Sequence, residues 1–436
     1  MKNYLFVPIG LTLLLSACNQ NDNQNNGNHA EPPGIERLEV TPTNLTAGES
    51  VTYTWEVRGD GASCQLDVGA DGTPEYTLAC AAGSQTHTFA DPGSFPATLS
   101  ATSGEQKVSQ SAPVVTVSAS SSGSNGSFTE LRWQPTALPP YGVAEGQNVV
   151  LNGKMYVFGG FDSTFRCCRP TDRTFVFDPV AATWQALAPL PPMNGTGYGG
   201  VTHAGFTTDG TDVYFAGGYT SNDSHKGQIF GTREVWRYNV GSDSYTRLPD
   251  LPEARGAGQL EYYSGKLYYF GGSNGGRTAD VGTLFILDLA GDSKTWREGA
   301  PMPNPRNHLG TAVLDGKIYA IAGQHDHDGK LTTQNDVHVY DPKTDSWQQV
   351  AGLPLAVSHN SNSSFIMGGR IIVVGGEVDH LKGVSNVFAY DPKTNAWTSL
   401  TPLPIAMVDP VAENVDGRLV VAYGGRPKAF IGTPLE

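Results

Sequence analysis

Paired glycines recur between residues 159 and 425: Gly159-Gly160, Gly217-Gly218, Gly271-Gly272, then a lone Gly323, Gly375-Gly376 and Gly424-Gly425. The spacing is about 50 residues, a period that marks stacked supersecondary units. Each glycine site closes a short apolar run such as Met155-Tyr156-Val157-Phe158. A second series runs in phase. Tyr340-Asp341-Pro342 precedes Trp347, Tyr390-Asp391-Pro392 precedes Trp397, and Phe177-Asp178-Pro179 precedes Trp184, with variants at Tyr238-Asn239/Tyr245 and Leu287-Asp288/Trp296. Glycine pairs let backbones approach where side chains would collide, and a large aromatic ring fills the wedge between adjacent small sheets. Each unit is therefore a sheet that cannot bury both faces alone.

These anchors resemble the kelch repeat: an apolar strand, Gly-Gly, then a spaced tyrosine and tryptophan. The resemblance covers residues 128 to 436 and implies an all-β, six-bladed propeller. After Gly425 no tyrosine or tryptophan follows, whereas Trp133 precedes Gly159 by about the interval that separates Trp347 from Gly375. The segment around Trp133 is thus expected to supply the outer strand of the blade begun at 407–425, closing the ring and removing exposed sheet edges. Two copies depart from the pattern. Gln324 stands where a second glycine belongs and Tyr245 where a tryptophan belongs, which predicts looser packing there.

The first residues read as an export signal. Lys2, an apolar stretch from Leu5 to Leu15 and then Leu15-Ser16-Ala17-Cys18 resemble a bacterial lipobox, with 1–17 removed and Cys18 acylated. The apolar run is shorter than the ~20 residues of a membrane-spanning helix. Asn19 is not the aspartate associated with inner-membrane retention, so the expected location is the outer membrane or cell surface. Residues 18–34 have little to bury and read as a solvated tether. Residues 35–118 carry short alternating strands at Ile35–Val40, Ser50–Val57, Thr86–Phe89, Phe95–Thr102 and Val114–Ser118, the pattern of a small β-sandwich. Tyr53-Thr54-Trp55-Glu56-Val57 and the turn Asp71-Gly72-Thr73 resemble a PKD-type, immunoglobulin-like module. A serine- and glycine-rich joint spans 119–127.

Of five cysteines, Cys18 is assigned to lipid, while Cys64 and Cys80 are expected to pair in an oxidising compartment. Cys167 and Cys168 are neighbours, either bridged or free. A formal charge of −14 with no basic run argues against nucleic acid as a partner.

Function in such a ring concentrates where the loops before the inner strands meet the loops after the glycines. That face is expected to carry Arg255, Arg306, His308, His325, His327, His359, Glu377 and His380. His325 and His327, alternating in His325-Asp326-His327-Asp328, are candidate zinc or copper ligands, against the plainer reading of a solvated loop. Asp67, Asp71 and Glu75 are weighed as a calcium site and read as a turn. Arg58-Gly59-Asp60 is read as chance, and His203 and His338 as packing or surface residues. A relationship to the sialic acid mutarotases, six-bladed kelch proteins, would make Glu377 a general base. The matching arginine six residues on is absent, for Gly383 stands there. The copper-dependent, seven-bladed galactose oxidase pattern is set aside. The sequence reading is a monomeric, cofactor-free envelope lipoprotein that binds a glycan or protein without catalysis, with a sugar-modifying mutarotase as the alternative.

Overall fold

The computed structural model describes residues 32–46, 50–59, 61–70, 72–89, 93–118, 128–165, 168–289, 294–326 and 330–435. The expectations for Cys18, for most of the tether, for the 119–127 joint, and for Asp60, Asp71, Cys167 and His327 lie outside the described residues. Among those described there is no helix. The chain divides into two compact units, one drawn from residues up to 114 and one containing all the repeats.

The strands between residues 34 and 118 fall into a three-stranded and a five-stranded sheet. Alternation sets the inward set: along Ser50–Arg58, Val51, Tyr53, Trp55 and Val57 are buried while their neighbours face outward. Cys64 and Cys80 are joined, with Cα atoms 5.3 Å apart. The strands at Asn44–Thr46, Ser63–Val68 and Tyr76–Leu78 were not read from the sequence. Asp67 accepts a hydrogen bond from the Gly72 amide and Glu75 one from the Val68 amide, so both carboxylates shape a turn.

The repeats form six four-stranded antiparallel sheets. Blades 1 to 6 have inner strands Gln147–Leu151, Gly205–Thr208, Gln259–Tyr263, Gly310–Leu314, Ser364–Met367 and Pro410–Val415. Each inner strand touches the inner strands of both neighbouring blades, so the sheets form a closed ring. Blade 6 takes its outer strand from Leu131–Pro135, where Trp133 lies opposite Gly432.

The glycine pairs tie one blade to the next. Gly160 N–H donates to Val201 O at 2.8 Å, and equivalent bonds join Gly218 to Arg255, Gly272 to Arg306, Gly323 to Val357, Gly376 to Met407 and Gly425 to Val143. The last of these links blade 6 back to blade 1. At Gly159, φ is 59° and a Cβ would lie 2.1 Å from Val201 O, so only glycine fits.

A second tie runs through the outer aromatics. The indole N–H groups of Trp133, Trp184, Trp296, Trp347 and Trp397 donate to Thr401, Ala137, Pro249, Ala300 and Ala351 carbonyls. Tyr245 performs the same task with its hydroxyl, 3.1 Å from Ala188 O. Gln324 is fully buried in the strand Lys317–His325, whose pairing shifts register between Ile321 and Gly323. The looser packing expected at these two positions is therefore not found: a phenol replaces the indole donor, and Gly323 itself makes the second-glycine bond, so the departure from the pair is Ala322, with φ 55°, at the first position and not Gln324.

Candidate functional site

Two residues beyond each carbonyl that receives a glycine N–H, the chain reaches the axis of the ring. These axial positions are Glu145, His203, Ala257, His308, His359 and Asp409, and all six are buried. The first five have φ between 50° and 56°, a left-handed kink that turns the chain into its inner strand. Main-chain bonds link Ala257 N to His203 O, His308 N to Ala257 O and His359 N to His308 O. Where Asp409 takes the sixth position, its carboxylate accepts the Glu145 amide at 2.5 Å.

Side chains converge within this ring. His359 Nε2 lies 3.1 Å from Glu145 Oε1, and its Nδ1 lies 3.0 Å from Glu377 Oε2 and 2.9 Å from Ser358 Oγ. The His359 ring centroid is 4.4 Å from that of His308, which is 4.8 Å from that of His203. His203 stacks on Tyr219 with centroids 4.5 Å apart, and its Nε2 is 3.7 Å from Glu145 Oε1. Burial alone would lower the His359 pKa, but Glu145 and Glu377 overcome it and raise it to about 10, so this imidazole is a buried cation between two carboxylates. Asp409 is pushed well above the ordinary carboxylate range, by burial and then by repulsion from Glu145.

Deeper in the channel two more carboxyls face each other. Glu261 of blade 3 and Glu413 of blade 6 stand on opposite blades of the six. Burial raises Glu261 to about 7, tempered by hydroxyls of Thr311 and Thr207. Burial raises Glu413 to about 8, against the Asn414 amide and with added repulsion from Glu261.

The structure divides the expected site residues. His308, His359 and Glu377 meet at the axis. Arg306 does not: it is fully buried, and its guanidinium donates to the carbonyls of Ala322, Ala320, Asn304 and Asp336. Burial lowers its pKa to about 10, leaving it charged at neutral pH. Arg255, also buried, reaches Glu253 at 2.7 Å and Thr283 Oγ1 at 3.3 Å. Both arginines are framework residues. They sit where the other blades carry Val143, Val201, Val357 and Met407, so that position belongs to the interior. His325 holds Asp280 at 3.1 Å through Nδ1 and Asn304 at 2.9 Å through Nε2, away from the axis. His380 is exposed on the blade 5 loop.

Three axial groups escaped the sequence reading. Glu145 and Asp409 were not singled out, and His203 was read as a packing or surface residue, although it lies with the other imidazoles. Aligning the repeats on their glycines, then counting to the axial position, would have found all three. His338 packs beside Arg306, its Nδ1 3.4 Å from Nη1.

Outward from His203 the chemistry continues to the rim. Tyr219 meets Phe230 edge-on at 5.3 Å, and Arg277 lies 4.4 Å over the Phe230 ring. Tyr198 packs against His225 at 4.0 Å. Phe230, Tyr198 and Leu381 are 36%, 37% and 72% exposed.

A family model described as the KLHDC2/KLHL20/DRC7 Kelch-repeats domain matches residues 203–425, and one described as the Kelch motif matches 148–191. Kelch-like protein terF of Aspergillus terreus is 28% identical over 248 residues, which cover 56% of this chain and 52% of that protein. Kelch-like protein 35 of Mus musculus is 30% identical over 198 residues, 45% of this chain and 29% of that one. Beta-scruin of Limulus polyphemus is 28% identical over 158 residues, 34% and 17% of the two chains. The chain thus spans about half or less of the length of these curated relatives.

Proposed function

The chain belongs to the kelch-repeat family, and from that premise we propose that its propeller is a non-catalytic docking platform for a protein or glycan, held at the cell envelope by a lipid on Cys18. The observation that carries the reading is the exposure of Tyr198 and Phe230, with the half-buried Arg277 stacked over the Phe230 ring, on loops of neighbouring blades. Aromatic and arginine side chains are the types that anchor protein contacts, and aromatic faces also stack on apolar faces of sugar rings. The acidic balance of the chain favours neutral or cationic partners.

The full chain, purified in detergent, is the reagent for the test. It is applied to a glycan array and to cross-linked envelope fractions, and any ligand recovered is re-measured by calorimetry. Phe230→Ala and Arg277→Ala should each weaken that ligand at least tenfold while leaving the melting temperature within 2 °C or so. Unchanged affinity in both variants would remove the docking face from this surface. For the anchor, Cys18→Ser should abolish incorporation of labelled palmitate and release the protein from the membrane pellet. Retention of label would refute that assignment.

A second reading rests on one observation, the carboxylate of Glu377 held against the His359 imidazole at 3.0 Å. A carboxylate and imidazole in contact can move a proton to and from a sugar hydroxyl, which is the need of a mutarotase. Faster anomer exchange of N-acetylneuraminate, followed by NMR and lost in Glu377→Gln, would favour it. An exchange rate equal to buffer would dismiss it.

A further inference from the structure

We propose that the axial cluster is a binding site for a divalent first-row transition metal, zinc by ligand preference, held by Glu145, His308 and His359 with His203 as the fourth donor. The candidate atoms of Glu145, His308 and His359 already lie within 4.8 Å of one another, and all three residues are buried. Ligands of a tetrahedral site with metal–ligand bonds of about 2.0–2.1 Å sit roughly 3.3 Å apart, so the set closes with shifts of about 1.5 Å or less between these donors. His203 Nε2, 3.7 Å from Glu145 Oε1, borders the same space.

The outer contacts of the imidazoles argue for the same ion. Metal-binding histidines offer one ring nitrogen to the metal and hold the other on a neighbouring polar group, which fixes ring orientation and tautomer. That arrangement recurs three times here. His359 places Nδ1 on Glu377 and Ser358, His203 places Nδ1 on Thr202 Oγ1 at 2.9 Å, and His308 places Nδ1 on Asn307 and Gln324. Each ring thereby brings its Nε2 toward the axis, where the ion would displace the proton that His359 Nε2 shares with Glu145. Behind His308 the support continues, since Asn307 donates to Asp280 and Asp280 contacts His325. His325 is thus an outer brace of the cluster.

The donor set selects the ion class. Three imidazoles and one carboxylate suit zinc and its first-row neighbours, whereas magnesium and calcium call for oxygen cages. Asp409 is engaged by the Glu145 amide and positions that residue. The four donors come from blades 1, 2, 4 and 5, so the ion would also cross-link the ring.

Cobalt(II) is the probe, because its visible absorption reports coordination number and ligand geometry independently of any activity. Chelator-stripped full chain should take up one equivalent of Co2+, developing bands near 500–650 nm of an intensity typical of four or five ligands, and zinc should displace it. His308→Gln and Glu145→Gln, with unchanged circular dichroism, should each weaken uptake by tenfold or more. His325→Ala should retain the absorption bands with a smaller loss of affinity. Two results would overturn the proposal: no uptake above that of a chelator blank, or uptake unaltered in both Gln variants. If Glu145→Gln does not fold, His203→Gln replaces it, with the same two readings.

Discussion

Glu413→Gln should make the protein more stable, by an amount that grows with pH. The wild-type carboxyl has a folded pKa of about 8, against an ordinary 4.5, because burial and the facing Glu261 disfavour its charged form. Between those values the folded state binds more protons than the unfolded state, so stability falls as pH rises from about 4.5 and the cost is complete above about 8. At 1.36 kcal/mol for each pH unit of displacement, the full penalty is on the order of 4–5 kcal/mol. Glu413 is partly exposed, so solvent screens the penalty, and we take roughly half, about 2 kcal/mol. Glutamine is nearly isosteric, cannot ionise, and keeps an oxygen for the Asn414 amide that now donates to Glu413 at 3.1 Å. The variant should therefore match wild type at pH 4.5 and exceed it at pH 9 by about 4 °C in melting temperature, at roughly 2 °C for each kcal/mol in a unit this large. Thermal unfolding at half-unit pH intervals gives the comparison. A difference that is flat across pH, or a loss of stability at pH 9, would mean that the carboxyl is not held neutral by its surroundings.

Tyr245→Phe removes the hydroxyl bond to Ala188 O and should cost about 1 kcal/mol by urea unfolding, a loss that a merely space-filling tyrosine would not show. Gly159→Ala forces a Cβ against Val201 O and should lower stability by more than about 3 kcal/mol, whereas Gly417→Ala, with φ 75° and nothing within 4 Å, should cost only about 1 kcal/mol. His308→Ala should cost little, since Ala257 occupies the same kink with φ 53° and the same main-chain bonding; Arg306→Ala, which strips buried carbonyls of their donor, should cost about 3 kcal/mol or more, and equal losses in the two would refute the division between axial and framework residues. Cys64→Ser should lower stability by roughly 3 kcal/mol through the loop of sequence separation 16 that its bond closes, and parity with wild type under oxidising conditions would refute that contribution.

Much of the ring was legible because its determinants are local and repeated. A glycine pair is forced by backbone approach, and an outer aromatic by the carbonyl it must reach, so each leaves a fixed residue type at a fixed interval. Trp133 could be assigned to blade 6 for the same reason: its indole donates to Thr401 O as the other indoles do to their preceding blades. Side-chain chemistry at the axis is different. Main-chain bonds build most of that ring without regard to the residue, and the link from the Glu145 amide to the Asp409 carboxylate has no local sequence pattern, so Glu145, His203 and Asp409 carry no signature beyond their count from the glycines. The arginines misled for a complementary reason. Charge in a sequence suggests exposure, but Arg306 finds enough backbone carbonyls in the interior to remain buried.

That independence of backbone from side chain explains how a structural repeat can carry a single, asymmetric site. Blades 1 to 5 each deliver one Cα to the axis in nearly the same conformation, so these five positions act as a scaffold on which residue identity is unconstrained by folding. Blade 3 spends its position on Ala257, which offers neither donor nor charge, while blades 1, 2, 4, 5 and 6 supply an acid or an imidazole. Burying His359 with Glu145 and Glu377 is costly for a fold that needs none of these three side chains, since blade 3 closes without. A polar cluster maintained at such a cost, on positions the ring does not require, is best accounted for by what it holds.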